Sequence, residues 1–215
     1  MFRMPILMTK ASKTIVIGIT GGVGTGKSTV VEVFRKKEYP VFCADIVAHD
    51  ALKPNSPIYK KIIKLFSKEI VRVNGELDRK IIADRVFTDP VLRKQLEKLI
   101  HPFVMNKFLL FKKKNKGLLF ADIPLLYEAK WQHLVDFVLV ITSSKKNQLS
   151  RLKVSRGWSN KEVLRRIASQ MPIKSKMAKA DDVIFNNADK ETLYKKIDFW
   201  LIKQKKRLTV PIAHV

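Results

Sequence analysis

The stretch Thr14-Ile15-Val16-Ile17-Gly18-Ile19-Thr20-Gly21-Gly22-Val23-Gly24-Thr25-Gly26-Lys27-Ser28-Thr29 runs from β-branched apolar residues into a glycine-rich turn that ends in lysine and serine. The first half predicts a buried strand and the residues from Lys27 onward predict a helix. Glycines between the two let the backbone fold into a concave nest whose N–H groups converge on phosphate oxygens, with the positive end of the helix dipole behind them. A nucleoside triphosphate is the ligand this pattern implies. Gly22, Gly24, Thr25, Gly26 and Thr29 supply the cradle, Lys27 reaches the β- and γ-phosphates as a point charge, and the Ser28 hydroxyl is placed to ligate Mg2+.

The chain has 215 residues, of which 46% are hydrophobic and 29% charged, an ordinary balance for one soluble α/β domain with an insertion. Forty-three Lys and Arg against nineteen Asp and Glu leave a net charge of +24, a field attractive to any polyanion. The runs Phe111-Lys112-Lys113-Lys114-Asn115-Lys116 and Lys203-Gln204-Lys205-Lys206-Arg207 fit solvated helix ends, and no nucleic-acid-binding signature accompanies the charge. Cys43 is the single cysteine, which excludes an intrachain disulfide framework and fits a reducing, cytoplasmic location. No apolar run has the length of a membrane span. We expect residues 1–13 to be a loose extension, residues 14–206 a single domain and residues 207–215 a tail, with no obligate protein partner.

Outward from the opening stretch, β-branched or aromatic runs recur at Thr14–Thr20, Pro40–Cys43, Leu118–Asp122, Phe137–Thr142 and Asp182–Asn186, separated by helical spacing. This alternation predicts a parallel five-stranded sheet covered on both faces, with ligands at the carboxyl ends of its strands. Leu193, Ile197, Trp200 and Leu201 form a buried stripe on the last helix, as do Leu92, Leu96, Leu99 and Phe103 on an earlier one. The connection between the second and third strands is too long for an ordinary crossover, so residues 54–116 are expected to form a helical insertion.

Phosphoryl transfer needs charge neutralisation and a carboxylate that orients the accepting hydroxyl or takes its proton. Asp45 follows the second strand, and position alone leaves two roles open: that carboxylate, or the N-cap of a helix over Ile46–Leu52. Asp122 ends an apolar strand, the place of a carboxylate that steadies Mg2+ through water. Arg151, Arg156, Arg165, Arg166, Lys174 and Lys176 flank Gly157-Trp158-Ser159 within residues 144–180, a pattern that reads as a hinged helical lid from which two or three cations touch phosphate. Ser159 and Glu162 have the spacing of a capping box. The loop by itself equally suits a kinase for another nucleoside or nucleotide, and the charge a nucleic-acid-stimulated ATPase.

From Ile15 to Ile202 the chain resembles the dephospho-CoA kinase family. The resemblance rests on Thr20–Thr29, Ala44-Asp45 with Ile46 and Ala48, Gly75-Glu76-Leu77-Asp78-Arg79, and His101-Pro102. It continues through Asp122-Ile123-Pro124-Leu125-Leu126-Tyr127-Glu128, Gln148 and Arg151, Arg166-Ile167 with Gln170, and Ala180-Asp181 with Val183-Ile184 and Asn186. It implies an α/β, three-layer P-loop kinase fold with a helical substrate-binding insertion and a short helical lid. The implied activity is ATP-dependent phosphorylation of the ribose 3′-hydroxyl of dephospho-CoA, with ATP and dephospho-CoA as partners and Mg2+ as cofactor. By the same resemblance Asp45 is the base, Lys27 and Arg151 stabilise the transferring group, Asp122 serves the metal and Asn186 sits near adenine. Asp45, Leu77, Asp78, Arg79, His101 and Pro124 belong to the acceptor side; without the resemblance, His101 reads as a helix-boundary residue before Pro102. Cys43, His49 and Ala188 depart from the family's usual aspartate, arginine and glycine at those positions.

Overall fold

The apolar runs become the strands of one sheet. In the computed structural model, which describes residues 14–209 and the side chains of residues 14–205, the chain begins β1 (Ile15–Gly21), α1 (Lys27–Lys36), β2 (Val41–Cys43) and α2 (Ala44–Asp50). It continues α3 (Tyr59–Phe66), α4 (Arg79–Thr88), α5 (Pro90–Lys114), β3 (Leu118–Asp122) and β4 (Phe137–Thr142). The last elements are α6 (Lys145–Arg156), α7 (Asn160–Ala168), α8 (Ile173–Ala178), β5 (Asp182–Phe185) and α9 (Lys190–Thr209). The expected extension 1–13 lies outside the described residues, as do 210–215 of the expected tail, whereas α9 continues to Thr209.

The strand order is β2-β3-β1-β4-β5. β1 pairs in parallel with β3, Ile15 opposite Leu118 and Ile19 opposite Asp122, and with β4, Gly21 opposite Ile141; β5 extends the sheet from β4. The expected five-stranded α/β sheet is therefore present. β1, β3 and β4 are apolar along almost their whole length because both faces are covered: Val16, Ile19, Leu119, Phe120, Leu139 and Ile141 are fully buried. On one face Phe34 of α1 stacks on Phe120 at 3.9 Å between ring centroids, with Trp200 of α9 tilted against both. On the other, Gly18 leaves room for Leu126 and Val135, since a Cβ there would come within 2.7 Å of the Leu126 side chain. Leu193, Ile197, Trp200 and Leu201 are buried together, as their spacing predicts.

The chain divides into two compact units. Ile15–Val41 with Gly117–Val215 makes the sheet unit, and Phe42–Lys116 belongs to the other. The second is mainly helical and has its own apolar centre of Ile62, Phe66, Ile70, Leu77, Ile82 and Leu96. Burial of side chains of this size stabilises by about 1.5–3 kcal/mol each. It is not wholly helical: Val71 and Leu77 form an antiparallel bridge around a turn in which Gly75 takes φ +80°. Asp78 caps α4 and Asp89 caps α5, each accepting two backbone N–H bonds, and Pro90 occupies the first turn of α5.

Two local expectations are corrected. α5 runs unbroken from Pro90 to Lys114 through Pro102, so His101 lies inside a helix and not at its boundary. Proline removes one intrahelical hydrogen bond, while Phe103, Val104 and Phe108, all buried on the same helix, hold the segment in place. The second correction concerns α2, which starts at Ala44 with Cys43 as its N-cap and no side-chain capping bond. Asp45 sits in the first turn, beyond the capping position, so the capping alternative does not hold.

Candidate active site

The turn between β1 and α1 is held from below by its own residues. Thr25 is fully buried, its hydroxyl donating to the Gly22 carbonyl at 2.9 Å. Gly24 and Gly26 take φ of +73° and +85°, which an L side chain adopts only with strain. α1 then starts at Lys27, so its first N–H groups, which lack intrahelical partners, open onto the turn. Ser28, the next residue, is exposed.

β3 delivers the opposing charge. Its last residue, Asp122, forms a short ion pair with the Lys27 ammonium, and both side chains are largely withdrawn from solvent. The C-terminal end of β5 delivers Asn186, which is buried and donates from Nδ2 to the Thr25 carbonyl at 2.8 Å. Arg151 of α6 donates to the same carbonyl at 3.3 Å and to the Asn186 backbone carbonyl at 3.0 Å. A guanidinium is thereby seated on the phosphate loop and oriented by neutral acceptors, the Asn186 side-chain oxygen at 3.3 Å being a third. This clustering of Lys27, Asp122, Arg151 and Asn186 places four of the sequence-predicted residues at one turn. The direct Asn186–Thr25 bond is not signalled by the sequence, because the two residues lie in widely separated segments.

The other cations of the expected lid divide by environment. Gly157, in the left-handed conformation, closes α6, and Ser159 precedes α7, its hydroxyl capping the helix by accepting from the Glu162 N–H at 3.2 Å. The reciprocal half of the capping box does not form, since the Glu162 carboxylate turns to Arg166 at 3.1 Å, and that guanidinium also lies 4.0 Å from the Trp158 ring centre. Arg156, Arg165 and Lys174 are exposed. Lys176, one of the six cations read as belonging to the lid, is fully buried and paired with Glu128 at 2.8 Å. Its ammonium is thus engaged within the protein and is not among the exposed cations of this segment.

Within the helical unit, Asp45 is exposed in the first turn of α2. Leu77 is part of the apolar centre, and Asp78 combines its cap with an ion pair to Arg72 at 3.1 Å. Hydrogen bonds from the Ile81 N–H and from Arg72 hold the Asp78 carboxyl below its ordinary value of 3.8. Lys53, Arg72, Glu76, Leu77 and Arg79 line a cavity of about 360 Å³ in this unit. Two of its cations are already matched, Lys53 by Asp50 at 2.6 Å and Arg72 by Asp78, which leaves Arg79 as the charge offered to an anionic ligand. His101 is partly buried on α5, and Pro124 belongs to the sheet unit, where its carbonyl accepts from the Thr20 hydroxyl at 2.8 Å.

Ser28 and Asp122 offer a hydroxyl and a carboxylate, the hard oxygen donors that Mg2+ prefers. Among the described residues no group of three or more His, Cys, Asp or Glu could cage a metal. No described helix is long and apolar enough to cross a membrane.

A glycine-rich loop at the carboxyl end of the central strand, with its lysine facing the carboxylate of the neighbouring strand, puts the chain in the class of P-loop kinases. The family model described as dephospho-CoA kinase matches residues 15–192. The chain belongs to the dephospho-CoA kinase family. It is 42% identical over 178 residues to dephospho-CoA kinase of Bacillus cereus, covering 81% of this chain and 89% of that one. It is 39% identical over 194 residues to the Enterococcus faecalis dephospho-CoA kinase, covering 89% and 98%. Among solved structures, that of dephospho-CoA kinase from Campylobacter jejuni superimposes with a TM-score of 0.67 at 28% identity, over 89% of this chain and 97% of that one. That of TT1252 from Thermus thermophilus gives a TM-score of 0.79 at 33% identity, over 89% and 98%.

Proposed function

We propose that the protein transfers the γ-phosphoryl group of ATP to the ribose 3′-hydroxyl of dephospho-CoA, yielding coenzyme A and ADP. The family match over residues 15–192 carries this reading, because it takes in the acceptor-side motifs as well as the phosphate loop that many nucleotide enzymes share. ATP and dephospho-CoA are its partners, and the cytoplasm its place of work.

Donor chemistry falls to the sheet unit. Loop amides and Lys27 bind the β- and γ-phosphates, and Arg151 offsets negative charge on the transferring group. Asn186 holds the loop carbonyl of Thr25, which fixes the direction in which the neighbouring amides point. Ser28 and Asp122 are the residues that would hold Mg2+, which when bound neutralises charge on the phosphate oxygens.

Acceptor chemistry falls to the helical unit and Pro124. Asp45 accepts the proton of the 3′-hydroxyl, raising the nucleophilicity of the oxygen that attacks phosphorus. Arg79, beside Lys53 and Arg72, offers positive charge to the anionic part of the acceptor, and Leu77, Asp78 and His101 complete the assignment.

The test is turnover of ATP, Mg2+ and dephospho-CoA by the purified protein, with the new phosphate located by mass and phosphorus NMR. The expected result is one ADP per 3′-phosphorylated product. Asp45→Asn should retain ADP binding and lose about 10²–10⁴-fold in kcat, the range for a general base. Tight ATP binding with no product, or faster turnover of a nucleoside or nucleoside monophosphate, would reassign the acceptor. Near-normal kcat in Asp45→Asn would remove that residue from the chemistry.

A further inference from the structure

One ion pair of the sheet unit, apart from Lys27 and Asp122, has a fully buried lysine. Lys176 is the buried residue of α8, and its side chain has no solvent exposure. Its ammonium contacts Glu128 Oε1 at 2.8 Å and donates to the Pro124 carbonyl at 3.1 Å. The same carbonyl accepts from the Thr20 hydroxyl at 2.8 Å, and Thr20 is itself fully buried at the end of β1, one residue before the phosphate loop begins. Glu128 Oε1 also accepts from the Met171 N–H, 2.9 Å away, in the short segment that joins α7 to α8. The other Glu128 oxygen is buried without a hydrogen-bond partner among the described residues, so Lys176 is the cation that balances it.

Stability is a poor reason for such a pair. Taking both charges out of water costs several kcal/mol per ion, and a well-packed apolar pair of the same volume is often equally or more stable. Apolar side chains, however, cannot hold a carbonyl. The Ile123 N–H already donates to Ile19 at 3.0 Å, so the segment following Asp122 is stitched to the end of β1 at two successive residues, and the second stitch is the one that Lys176 grips. Through Met171 and α8 the same ammonium and carboxylate tie that junction to the base of the lid.

We propose that Lys176 and Glu128 are positioning residues for phosphoryl transfer: they fix the Pro124 carbonyl, and through it set Asp122 and the start of the phosphate loop against the base of the lid helices. They touch neither substrate. Their contribution lies in the registration of groups that do, where misplacement by about 1 Å is enough to lower a rate by about 10²-fold.

The inference rests on the kinase reading, so the parent protein is assayed first with ATP, Mg2+ and dephospho-CoA; absence of turnover there overturns that reading and not this one. The informative variant is the double substitution Glu128→Gln with Lys176→Met, which removes the carbonyl grip without leaving a buried charge unpaired. Folding is checked by circular dichroism and melting, and the exposed pair Glu191 and Lys195 is replaced in the same way as a control. The expected result is kcat lowered about ten- to hundredfold with both KM values within about threefold of the parent, and a control that matches the parent. A folded double variant with kcat within about twofold of the parent overturns the proposal, as does a loss confined to KM. If the double variant does not fold, Lys176→Met alone, which removes the donor to the Pro124 carbonyl, decides: in the folded protein a fall in kcat at unchanged KM supports the positioning role, and unchanged kcat refutes it.

Discussion

Gly26→Ala is the most demanding test of the geometry at the phosphate loop. Gly26 has φ 85° and ψ 22°, and a Cβ added to it would lie 2.1 Å from Asn186 Nδ2. An L residue in this left-handed conformation costs about 1–2 kcal/mol. The clash also forces Asn186 off the Thr25 carbonyl, and a buried amide deprived of its bond adds about 1–3 kcal/mol. A total near 3 kcal/mol corresponds, for a chain of this size, to a melting temperature lower by about 6–12 °C. Because the released carbonyl lets the neighbouring loop amides turn away from phosphate, ADP affinity should also fall at least about tenfold, equivalent to about 1.4 kcal/mol. Scanning calorimetry measures the first effect and isothermal titration the second. Asn186→Ala supplies the decisive comparison: with the obstructing amide gone, the double variant should be less destabilised than the two single variants added together, by about 0.5–3 kcal/mol. A Gly26→Ala protein that melts within about 2 °C of the parent and binds ADP normally would refute the argument. Strict additivity of the two substitutions would show that Asn186 is not what Gly26 makes room for.

Two predictions concern pH. The Asp78 carboxyl is held below its ordinary 3.8, so the support its cap gives α4 is complete at neutral pH and is lost as the pH falls through the lowered value. Asp78→Ala should therefore speed hydrogen exchange in the first turn of α4 at neutral pH and make much less difference in strong acid; equal effects in both would reject the cap. Burial, reinforced by the charge of Asp181, pushes the Tyr127 hydroxyl up to about 12 from 10.0, and that hydroxyl donates to the Lys179 carbonyl at 2.8 Å. A raised folded-state value means that this stabilisation is complete below pH 10.0 and disappears as the pH rises through about 12. Ultraviolet titration should show one tyrosine ionising late that is absent from Tyr127→Phe, and a normal value would contradict the burial.

The sheet was legible because β1, β3 and β4 are covered on both faces, which writes them into the sequence as nearly unbroken apolar runs. The phosphate loop was legible because its glycines and lysine are adjacent in sequence. What escaped depends on distance along the chain or on competition between rules. The proline rule predicts an end near His101, yet packing of Phe103, Val104 and Phe108 carries α5 through. Lysine is the residue type least expected inside, and nothing local to Lys176 announces that Glu128 and the Pro124 carbonyl await it. The Asn186–Thr25 bond is similarly unreadable, since each residue alone suits a turn or strand end. For Asp45, the sequence left two roles open, and the capping geometry at Cys43 removed one of them.

The position of β1 bears on how the molecule is made. β1 is synthesised first among the strands, yet its neighbours are β3, with Leu118 opposite Ile15, and β4, with Phe137 opposite Ile17. A chain emerging from the ribosome therefore exposes an apolar, unpartnered strand throughout synthesis of the whole Phe42–Lys116 unit. That unit closes its contacts over short separations, with Ile62, Phe66, Ile70 and Leu77 all close in sequence, so it can gain structure while β1 still waits. At that stage the helices of residues 42–116 can already form, while the phosphate loop has no sheet to stand on.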